Sequence, residues 1–358
     1  MDSESNRRRF LGAVGLGTVA MTAGCTDILD GDDSSGDGSD GETEDDGSEE
    51  GTGENGSEDD HDVPDIDGGA VVFVYDDGPV EDYEQAFPVH QEFDAPASAG
   101  IVTEWVGRED YNDNDWMTEE QLKELADAGW EIMAHTTAHT ALGEFELVED
   151  VEPDDTRIYP EARNHGFHQV FDLEITDGDN QVRRTITGSA EDETGAYIEF
   201  DEPIGESFAA GETVERYPED LMHEFLGDCK QNLESMGFEV DTLLAPYDIV
   251  DDRAVEFAEE YYDGIANVNP GSMINDVDDF DPFDTNRDYF IEFTTPTTVQ
   301  NQLDQVAGQE GIGIIGAHTF KEEVTEEGIR ETLEWVEERD LTVVTLRDAI
   351  RAAANADE

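Results

Sequence analysis

An unbroken apolar run at residues 71–74 constrains the fold of this chain more than any other stretch. The run leads through Tyr75 into Asp76-Asp77-Gly78-Pro79. A short apolar run without alternation, ended by turn residues, is typical of a strand buried on both faces of a parallel sheet. Asp76 and Asp77 therefore lie where a buried strand emerges, which is the rim that carries the functional residues of α/β proteins.

Two neighbouring carboxylates at that rim repel each other unless a cation or a proton intervenes. A metal ion would remove this cost and would give Asp76 and Asp77 different roles. The alternative is an acidic turn without function, which is common in so acidic a chain.

Strand and helix patterns alternate along most of the chain after residue 68. Helical patterns occupy 83–93, 218–236, 252–262, 299–307 and 326–339, and another begins at Thr118, where Gln121 completes a capping box. Strand patterns fall between them and close the domain at 341–346. This alternation predicts a mainly parallel sheet, open or barrel-shaped, with functional residues at the carboxyl ends of its strands. The residues at such positions are Asp76, Asp77, His135, His139, Pro246, Tyr247 and His318.

Residues 143–216 interrupt the alternation. Short strand patterns at 167–176, 181–187, 196–200 and 212–216 are separated by Asp-Gly and Gly-Glu turns, which predicts a β-rich insertion. His165 and His168 fall at its start, and we expect surface histidines there, with a substrate groove as the alternative. Cys229 is expected to be a buried packing residue, and residues 268–288 are expected to be loop.

The charge of the chain narrows the choice of partners. It has 94 acidic residues against 18 Lys and Arg, for a net charge of −76. Nucleic acid is excluded as a partner because phosphate binding requires clustered cations. Acidic residues throughout the chain, with Lys scarce, indicate a halophilic protein that stays soluble in concentrated salt, where self-repulsion is screened.

The N-terminal region has the features of an export signal. Asn6-Arg7-Arg8-Arg9-Phe10-Leu11 resembles a twin-arginine signal, and the apolar stretch 11–23 has the length of a signal-peptide core. Cys25 follows a sequence that resembles a lipobox, so we expect lipidation there and an exported protein anchored at the outer face of the cytoplasmic membrane or at the cell surface. The predicted organisation is a signal peptide at 1–24, a disordered acidic linker at 25–67, a main domain at 68–142 and 217–352, and the insertion at 143–216.

His135 and His139 are four residues apart and follow a predicted strand. Neutral imidazole is a common ligand for zinc and similar ions, and two histidines with one carboxylate leave positions open for water and substrate. A pair of histidines at this spacing is often without function. The carboxylate pair at another strand end makes a metal site the favoured interpretation.

Four segments, in this order, resemble motifs of the polysaccharide deacetylase (NodB-homology) family, carbohydrate esterase family 4. Val74-Tyr75-Asp76-Asp77-Gly78 is similar to its first motif and His135-Thr136-Thr137-Ala138-His139 to its second. Ala245-Pro246-Tyr247 matches part of the third, and the strand ending on His318 resembles the last. The resemblance covers about 68–140 and 222–352 and skips the predicted insertion.

This resemblance implies a deformed (β/α) barrel that removes acetyl groups from N-acetylated sugars. It implies that Asp77, His135 and His139 bind a divalent metal, with Zn²⁺ as the first expectation. The metal would polarise the acetyl carbonyl and lower the pKa of a water molecule. It further implies that Asp76 is the general base, that His318 is the general acid, and that the backbone N–H of Tyr247 stabilises the oxyanion.

The chain departs from the family pattern at two positions. The third motif of the family has Arg where this chain has Leu244, and that Arg pairs with the catalytic base. Arg287 is a candidate substitute that would reach in from a later loop, with a surface Arg as the alternative. The last motif has Leu where this chain has Gly316, which predicts a wider or differently shaped acetyl pocket. The partner that orients His318 is not evident, and Asp284 and Asp288 are the candidates.

Three functions remain open at this point. The favoured one is a metal-dependent hydrolase acting on carbon–nitrogen, non-peptide bonds in N-acetylated polysaccharide. The second is a non-catalytic glycan-binding protein on the same fold, which the missing third-motif Arg supports. The third is an O-acetyl esterase or another metal-dependent amide hydrolase that uses the same site.

Overall fold

The computed structural model describes residues 64, 66, 68–162, 165 and 171–356. The predicted signal peptide, Cys25, nearly all of the linker and His168 lie outside these residues. The strands of the described residues, in chain order, are β1 Ala70–Tyr75, β2 Ser98–Ile101, β3 Glu131–Ala134, β4 Phe145–Glu146, β5 Arg157–Ile158, β6 Asp172–Thr176, β7 Gln181–Glu191, β8 Ala196–Phe200, β9 Val214–Arg216, β10 Thr242–Leu243, β11 Gly264–Ile265, β12 Asn269–Pro270, β13 Ile274–Asn275, β14 Asn286–Tyr289, β15 Ile312–Ala317 and β16 Thr342–Val344.

A mainly parallel sheet forms the centre of the fold. Its strand order is β11-β10-β3-β2-β1-β15-β14-β12, with β16 added parallel to β1 and β13 added antiparallel to β15. Within the described residues the end strands β11 and β12 do not pair with each other, so the sheet is a curled half-barrel. The α/β fold with a deformed barrel that the sequence predicts is therefore confirmed.

Buried strands and amphipathic helices explain the layers. Every residue of β1 and β15 is buried, as their unbroken apolar runs require. The α-helices are α1 Phe87–Glu92, α2 Glu119–Asp127, α3 Glu219–His223, α4 Cys229–Ser235, α5 Asp252–Ala258, α6 Pro296–Gln309, α7 Glu326–Glu337 and α8 Leu346–Ala356, with π-helical turns at Asp82–Ala86 and Glu224–Asp228 and a 3₁₀ turn at Pro246–Asp248. The predicted capping box of Thr118 and Gln121 opens α2. Among the described residues, each helix is too short or too polar to span a lipid bilayer.

A second sheet, entirely antiparallel, is built from residues 145–216. Its order is β4-β9-β6-β7-β8-β5. The strand predicted at 196–200 is β8 without change, whereas β7 extends four residues beyond its predicted end at 187. The short strands β4 and β5 have no clear signal in the sequence.

Two elements correct the sequence interpretation. The segment 268–288, expected to be loop, contains β12, β13 and most of β14. The chain also continues past the predicted closing strand into α8, which packs Leu346, Ala349 and Ala352 against the sheet. Both were missed because short polar strands and an Ala-rich helix lack the long apolar periodicity on which the prediction relied.

Candidate metal centre and active site

The carboxyl ends of neighbouring strands bring the predicted site residues together. Asp76 and Asp77 follow β1, His135 follows β3, and His318 follows β15. Since β3, β2, β1 and β15 are consecutive in the sheet, residues far apart in the sequence meet at one rim. Tyr247 joins them from the turn after β10, and Arg287 joins them from β14.

Asp77, His135 and His139 form a cluster that can hold a metal ion. Their ligand atoms all lie within 4.8 Å of one another. Asp77 Oδ1 is 3.0 Å from His135 Nε2 and 2.9 Å from His139 Nε2. Atoms that share one small ion in tetrahedral coordination are separated by roughly 3 Å, so this spacing fits a common ion.

The surroundings of the cluster favour the forms of these side chains that bind metals. His135 donates from Nδ1 to the carbonyl oxygen of Leu244 at 2.7 Å, which leaves the lone pair on Nε2 facing Asp77. Burial lowers the pKa of His139, so its imidazole is kept neutral.

Strained backbone accompanies this cluster. Non-glycine residues with positive φ include Asp77 (77°), Thr136 (62°), His139 (55°) and Tyr247 (64°). Left-handed geometry is a genuine outlier for a β-branched residue such as Thr136. Such residues concentrate at functional sites because the surrounding structure must enforce them.

Asp76 lies beside the metal cluster and is held by Arg287. The Arg287 guanidinium contacts Asp76 through Nη2 and donates from Nη1 to Asp248 Oδ1 at 3.0 Å. Only 2% of Arg287 is exposed, which excludes the surface alternative. Burial raises the pKa of Asp76, and the Arg287 guanidinium opposes that rise and favours the ionised carboxylate. Arg287 belongs to strand β14, not to a loop as the sequence suggested.

Gly316 makes room for this arginine. A Cβ atom at Gly316 would lie 1.7 Å from Arg287 Nη2 and 2.2 Å from its Cζ, so no side chain larger than hydrogen can coexist with the guanidinium there. Of the two alternatives for the acetyl pocket, the wider one is wrong at Gly316, because the guanidinium fills the space that the missing side chain leaves. A differently shaped pocket stays a prediction. The other departure, Leu244, is buried and packs closely over Gly100.

His318 faces Asp76 and is oriented by Glu292. Glu292 Oε1 accepts from His318 Nδ1 at 2.9 Å and from the His318 backbone N–H at 2.7 Å. His318 Nε2 is then directed at Asp76, with 3.8 Å between Nε2 and Asp76 Oδ2. Burial alone would lower the pKa of His318, but Asp76 and Glu292 outweigh it and raise that pKa to about 9.

Glu292 replaces the orienting residues that the sequence suggested. Asp284 accepts from Asn269 and Asp288 accepts from Gln302, so neither carboxylate is the one bonded to His318. Sequence reasoning also missed Asp248, which accepts from Asn267 Nδ2 at 2.6 Å and from Tyr289 Oη at 2.7 Å while it holds Arg287. The only feature of the sequence that could have pointed to Asp248 is its position directly after Pro246-Tyr247.

Tyr247 lies against the metal cluster. Its hydroxyl is 3.1 Å from His139 Nδ1, and the two ring centroids are 4.5 Å apart. The predicted role of the Tyr247 backbone N–H towards an oxyanion stays a prediction.

His165 is not a surface residue. It is fully buried, with Nδ1 2.6 Å from Glu215 Oε2 on β9 and Nε2 3.0 Å from the carbonyl oxygen of Ala141. Both ring nitrogens lie within hydrogen-bond distance of an oxygen, and such partners offset the desolvation of a buried polar ring. Cys229 is buried as predicted, and burial raises the pKa of its thiol to about 12.

Comparison with known proteins gives an independent view of the site. Residues 65–169 match the family model described as polysaccharide deacetylase, a range that contains Asp76, Asp77, His135 and His139. The chain is 32% identical over 72 residues to the putative polysaccharide deacetylase YxkH of Bacillus subtilis, which covers 20% of this chain and 24% of that protein. It is 35% identical over 63 residues to the poly-beta-1,6-N-acetyl-D-glucosamine N-deacetylase of Staphylococcus aureus, covering 17% and 22%.

The chain thus spans about a quarter of the length of the curated relatives that it matches. Among solved structures, a mutant of peptidoglycan deacetylase PdaC from Bacillus subtilis aligns with 82% of this chain and 96% of its own, at 10% identity and a TM-score of 0.42.

Proposed function

We propose that this chain belongs to the polysaccharide deacetylase family and is a metal-dependent hydrolase that removes acetyl groups from N-acetylated polysaccharide. One observation carries the proposal: Asp76 and His318 lie together beside Asp77, His135 and His139, a cluster that can hold a metal ion. A structural metal site would need neither group. The match of residues 65–169 to the polysaccharide deacetylase family model supports the same class of enzyme.

The residues of the chain divide the reaction between them. Asp77, His135 and His139 would hold the divalent ion, for which Zn²⁺ suits the donor set. When bound, that ion supplies Lewis-acid chemistry by polarising the acetyl carbonyl and lowering the pKa of a water molecule. Asp76 takes the proton of the attacking water, and the Arg287 guanidinium keeps Asp76 ionised and fixed for that task.

His318 is proposed to protonate the leaving group, which completes the reaction. As the bond between the water oxygen and the acetyl carbon forms and the carbon–nitrogen bond breaks, His318 donates its proton from Nε2 to the leaving amine. Glu292 fixes Nδ1 as the other donor, so that Nε2 is the nitrogen that faces the reaction. The Tyr247 backbone N–H is proposed to stabilise the oxyanion.

The glycan-binding alternative loses its main support. It rested on the missing third-motif arginine, and Arg287 provides a guanidinium at Asp76 from another strand. The esterase alternative uses the same side chains, and substrate choice is what separates it from the deacetylase.

Acetate release tests the proposal. The zinc-loaded and chelator-treated protein would be compared at high salt on N-acetylglucosamine oligomers and on O-acetylated xylan. The proposal predicts zinc-dependent release from the oligomers, at least about tenfold faster in kcat/KM than from the xylan. Preference for the xylan would establish the esterase, and oligomer binding without release from either substrate would establish the glycan-binding protein.

We also propose that the protein is exported through its twin-arginine signal and anchored by a lipid at Cys25, which lies outside the described residues. The sequence alone supports this. Expressed in a halophilic host, a Cys25→Ser variant should move from the membrane fraction to the medium, and an Arg7→Lys, Arg8→Lys variant should remain in the cytoplasm. An unchanged distribution of both variants would overturn the proposal.

A further inference from the structure

Phe293 is a solvent-exposed aromatic residue on the segment that orients the proposed acid. The exposed fraction of Phe293 is 76%. Among the described residues, Phe293 and Val148 are the large hydrophobic side chains that are exposed. Phe293 directly follows Glu292, which is buried and bonded to His318. Phe293 also has a φ of 60°, a left-handed geometry that is unfavourable for a bulky side chain. An exposed ring held in strained backbone, one residue from the carboxylate that is bonded to His318, indicates a binding role.

Other aromatic rings and a lysine extend this surface. The ring centroid of Tyr289 is 5.1 Å from that of Phe293 and 5.8 Å from that of His318, nearly parallel to the imidazole. The ring centroid of Phe320 is 5.6 Å from that of His318. The Lys321 ammonium is 5.3 Å from the Phe293 ring and 5.6 Å from the Phe320 ring. Aromatic side chains thus line the His318 side of the site.

The chemistry of the reaction places the sugar on this side. The acetyl carbonyl must face the metal cluster, and the leaving nitrogen must face His318 because His318 protonates it. That nitrogen is attached to the sugar ring, so the glycan extends from His318 away from the metal. Pyranose rings have a face of C–H groups that packs on aromatic rings, while their hydroxyls accept from an ammonium.

We propose that Phe293, supported by Phe320 and Lys321, is a subsite for a neighbouring sugar ring of the N-acetylated oligosaccharide. This rests on the proposed function and deepens it, since it makes the enzyme selective for oligomers over single sugars. Phe293 supplies the stacking face, and Lys321 supplies a cation in a chain where Lys and Arg together number 18.

Binding without turnover tests the subsite. Zinc-loaded protein carrying Asp76→Asn would be titrated calorimetrically at high salt with N-acetylglucosamine and with its β-1,4-linked tetramer. Adding Phe293→Ala should weaken tetramer binding about tenfold, which corresponds to one aromatic stacking contact. Phe293→Trp should retain tetramer binding, and Val148→Ala, which removes the other exposed hydrophobic side chain, is the matched control.

Kinetics of the active protein give a second readout. Phe293→Ala should raise KM for the tetramer about tenfold more than KM for the single sugar, with the loss in KM and not in kcat. Equal losses for both substrates, or tetramer binding unchanged in Phe293→Ala, would overturn the subsite while leaving the deacetylase proposal intact. A parent protein that neither binds nor deacetylates any oligomer would overturn both.

Discussion

Arg287 reaches Asp76 through the space that Gly316 leaves open. In the family that the chain resembles, an arginine at position 244 would pair with the base and a leucine would stand at position 316. Here Leu244 is a core residue, and the guanidinium arrives from β14 across Gly316. The two departures therefore form one exchange: the arginine comes from β14 instead of position 244, and an arginine from β14 is compatible only with glycine at position 316.

Substitution of Gly316 tests this exchange. Gly316→Ala should push the guanidinium away from Asp76 and Asp248, which leaves buried carboxylates without their partner and lowers the free energy of unfolding by about 3–5 kcal/mol. Acetate release should fall while zinc affinity is kept. Gly313→Ala on the same strand, where the new Cβ would meet Val306 Cγ2 at 3.1 Å, is the matched control.

A double-mutant cycle decides whether Gly316 acts through the arginine. In an Arg287→Ala background, Gly316→Ala should add little further loss of activity or stability, because its target is already gone. Additive losses would show that Gly316 matters for another reason.

Glu292 controls the proton of His318. The pKa of His318 is raised to about 9, against the effect of burial, by Asp76 and Glu292. As the proposed acid, His318 works while it is protonated, so activity should be retained below this pKa and lost as the pH rises through it. Glu292→Gln removes one of the raising carboxylates and should move the alkaline limb of the kcat profile to lower pH by about one unit.

Asp288→Asn is the control for that profile, because Asp288 is bonded to Gln302 and not to His318. An alkaline limb that stays in place in Glu292→Gln would contradict the assignment of Glu292.

At the scale of elements, the rim residues could be predicted because strands that are buried on both faces have a recognisable sequence pattern. β1 and β15 are continuous apolar runs, and each ends directly on a polar site residue. Arg287 could be proposed because Leu244 stands where the family motif has its arginine, but its strand could not be predicted, since Asn286–Tyr289 has no apolar run. Glu292 and Asp248 could not be selected among 94 acidic residues without the geometry that aims them.

The second sheet is joined to the loop of the metal cluster by His165. This imidazole links Glu215 of β9 to the carbonyl oxygen of Ala141, two residues beyond His139. His165→Leu leaves the Glu215 carboxylate buried without that partner and should lower the free energy of unfolding by about 3–5 kcal/mol in denaturant titrations. His165→Leu with Glu215→Met should recover much of the loss, because it removes both polar groups.

His223→Leu is the matched control, since His223 is only partly buried and bonds the hydroxyl of Tyr261. A loss as large in the control, or no loss in His165→Leu, would contradict the role given to His165.

At the scale of the whole molecule, acidic charge dominates. Some of the described arginines each pair with two carboxylates: Arg183 pairs with Asp172 and Asp220, and Arg347 pairs with Glu239 and Asp241. The many remaining carboxylates repel one another over distances that salt controls, because the Debye length falls from about 10 Å at 0.1 M to about 3 Å at 1 M.

Stability should therefore rise with salt concentration. We expect the thermal midpoint to increase from 0.1 M to 2 M in both sodium chloride and potassium chloride, because screening depends on ionic strength. Sucrose at equal osmolality is the control for non-ionic effects. A thermal midpoint independent of ionic strength would contradict the salt adaptation inferred from the charge.

The central claim is that Asp76 performs chemistry beside a metal site to which it does not contribute. Metal content and acetate release, measured on the same Asp76→Asn protein, test it most directly, with His135→Ala as the variant that should lose both. We predict that Asp76→Asn binds zinc like the parent while its release of acetate from the N-acetylglucosamine tetramer falls by about 10²–10⁴-fold. Zinc lost with the activity, or acetate released at the parent rate, would contradict the account.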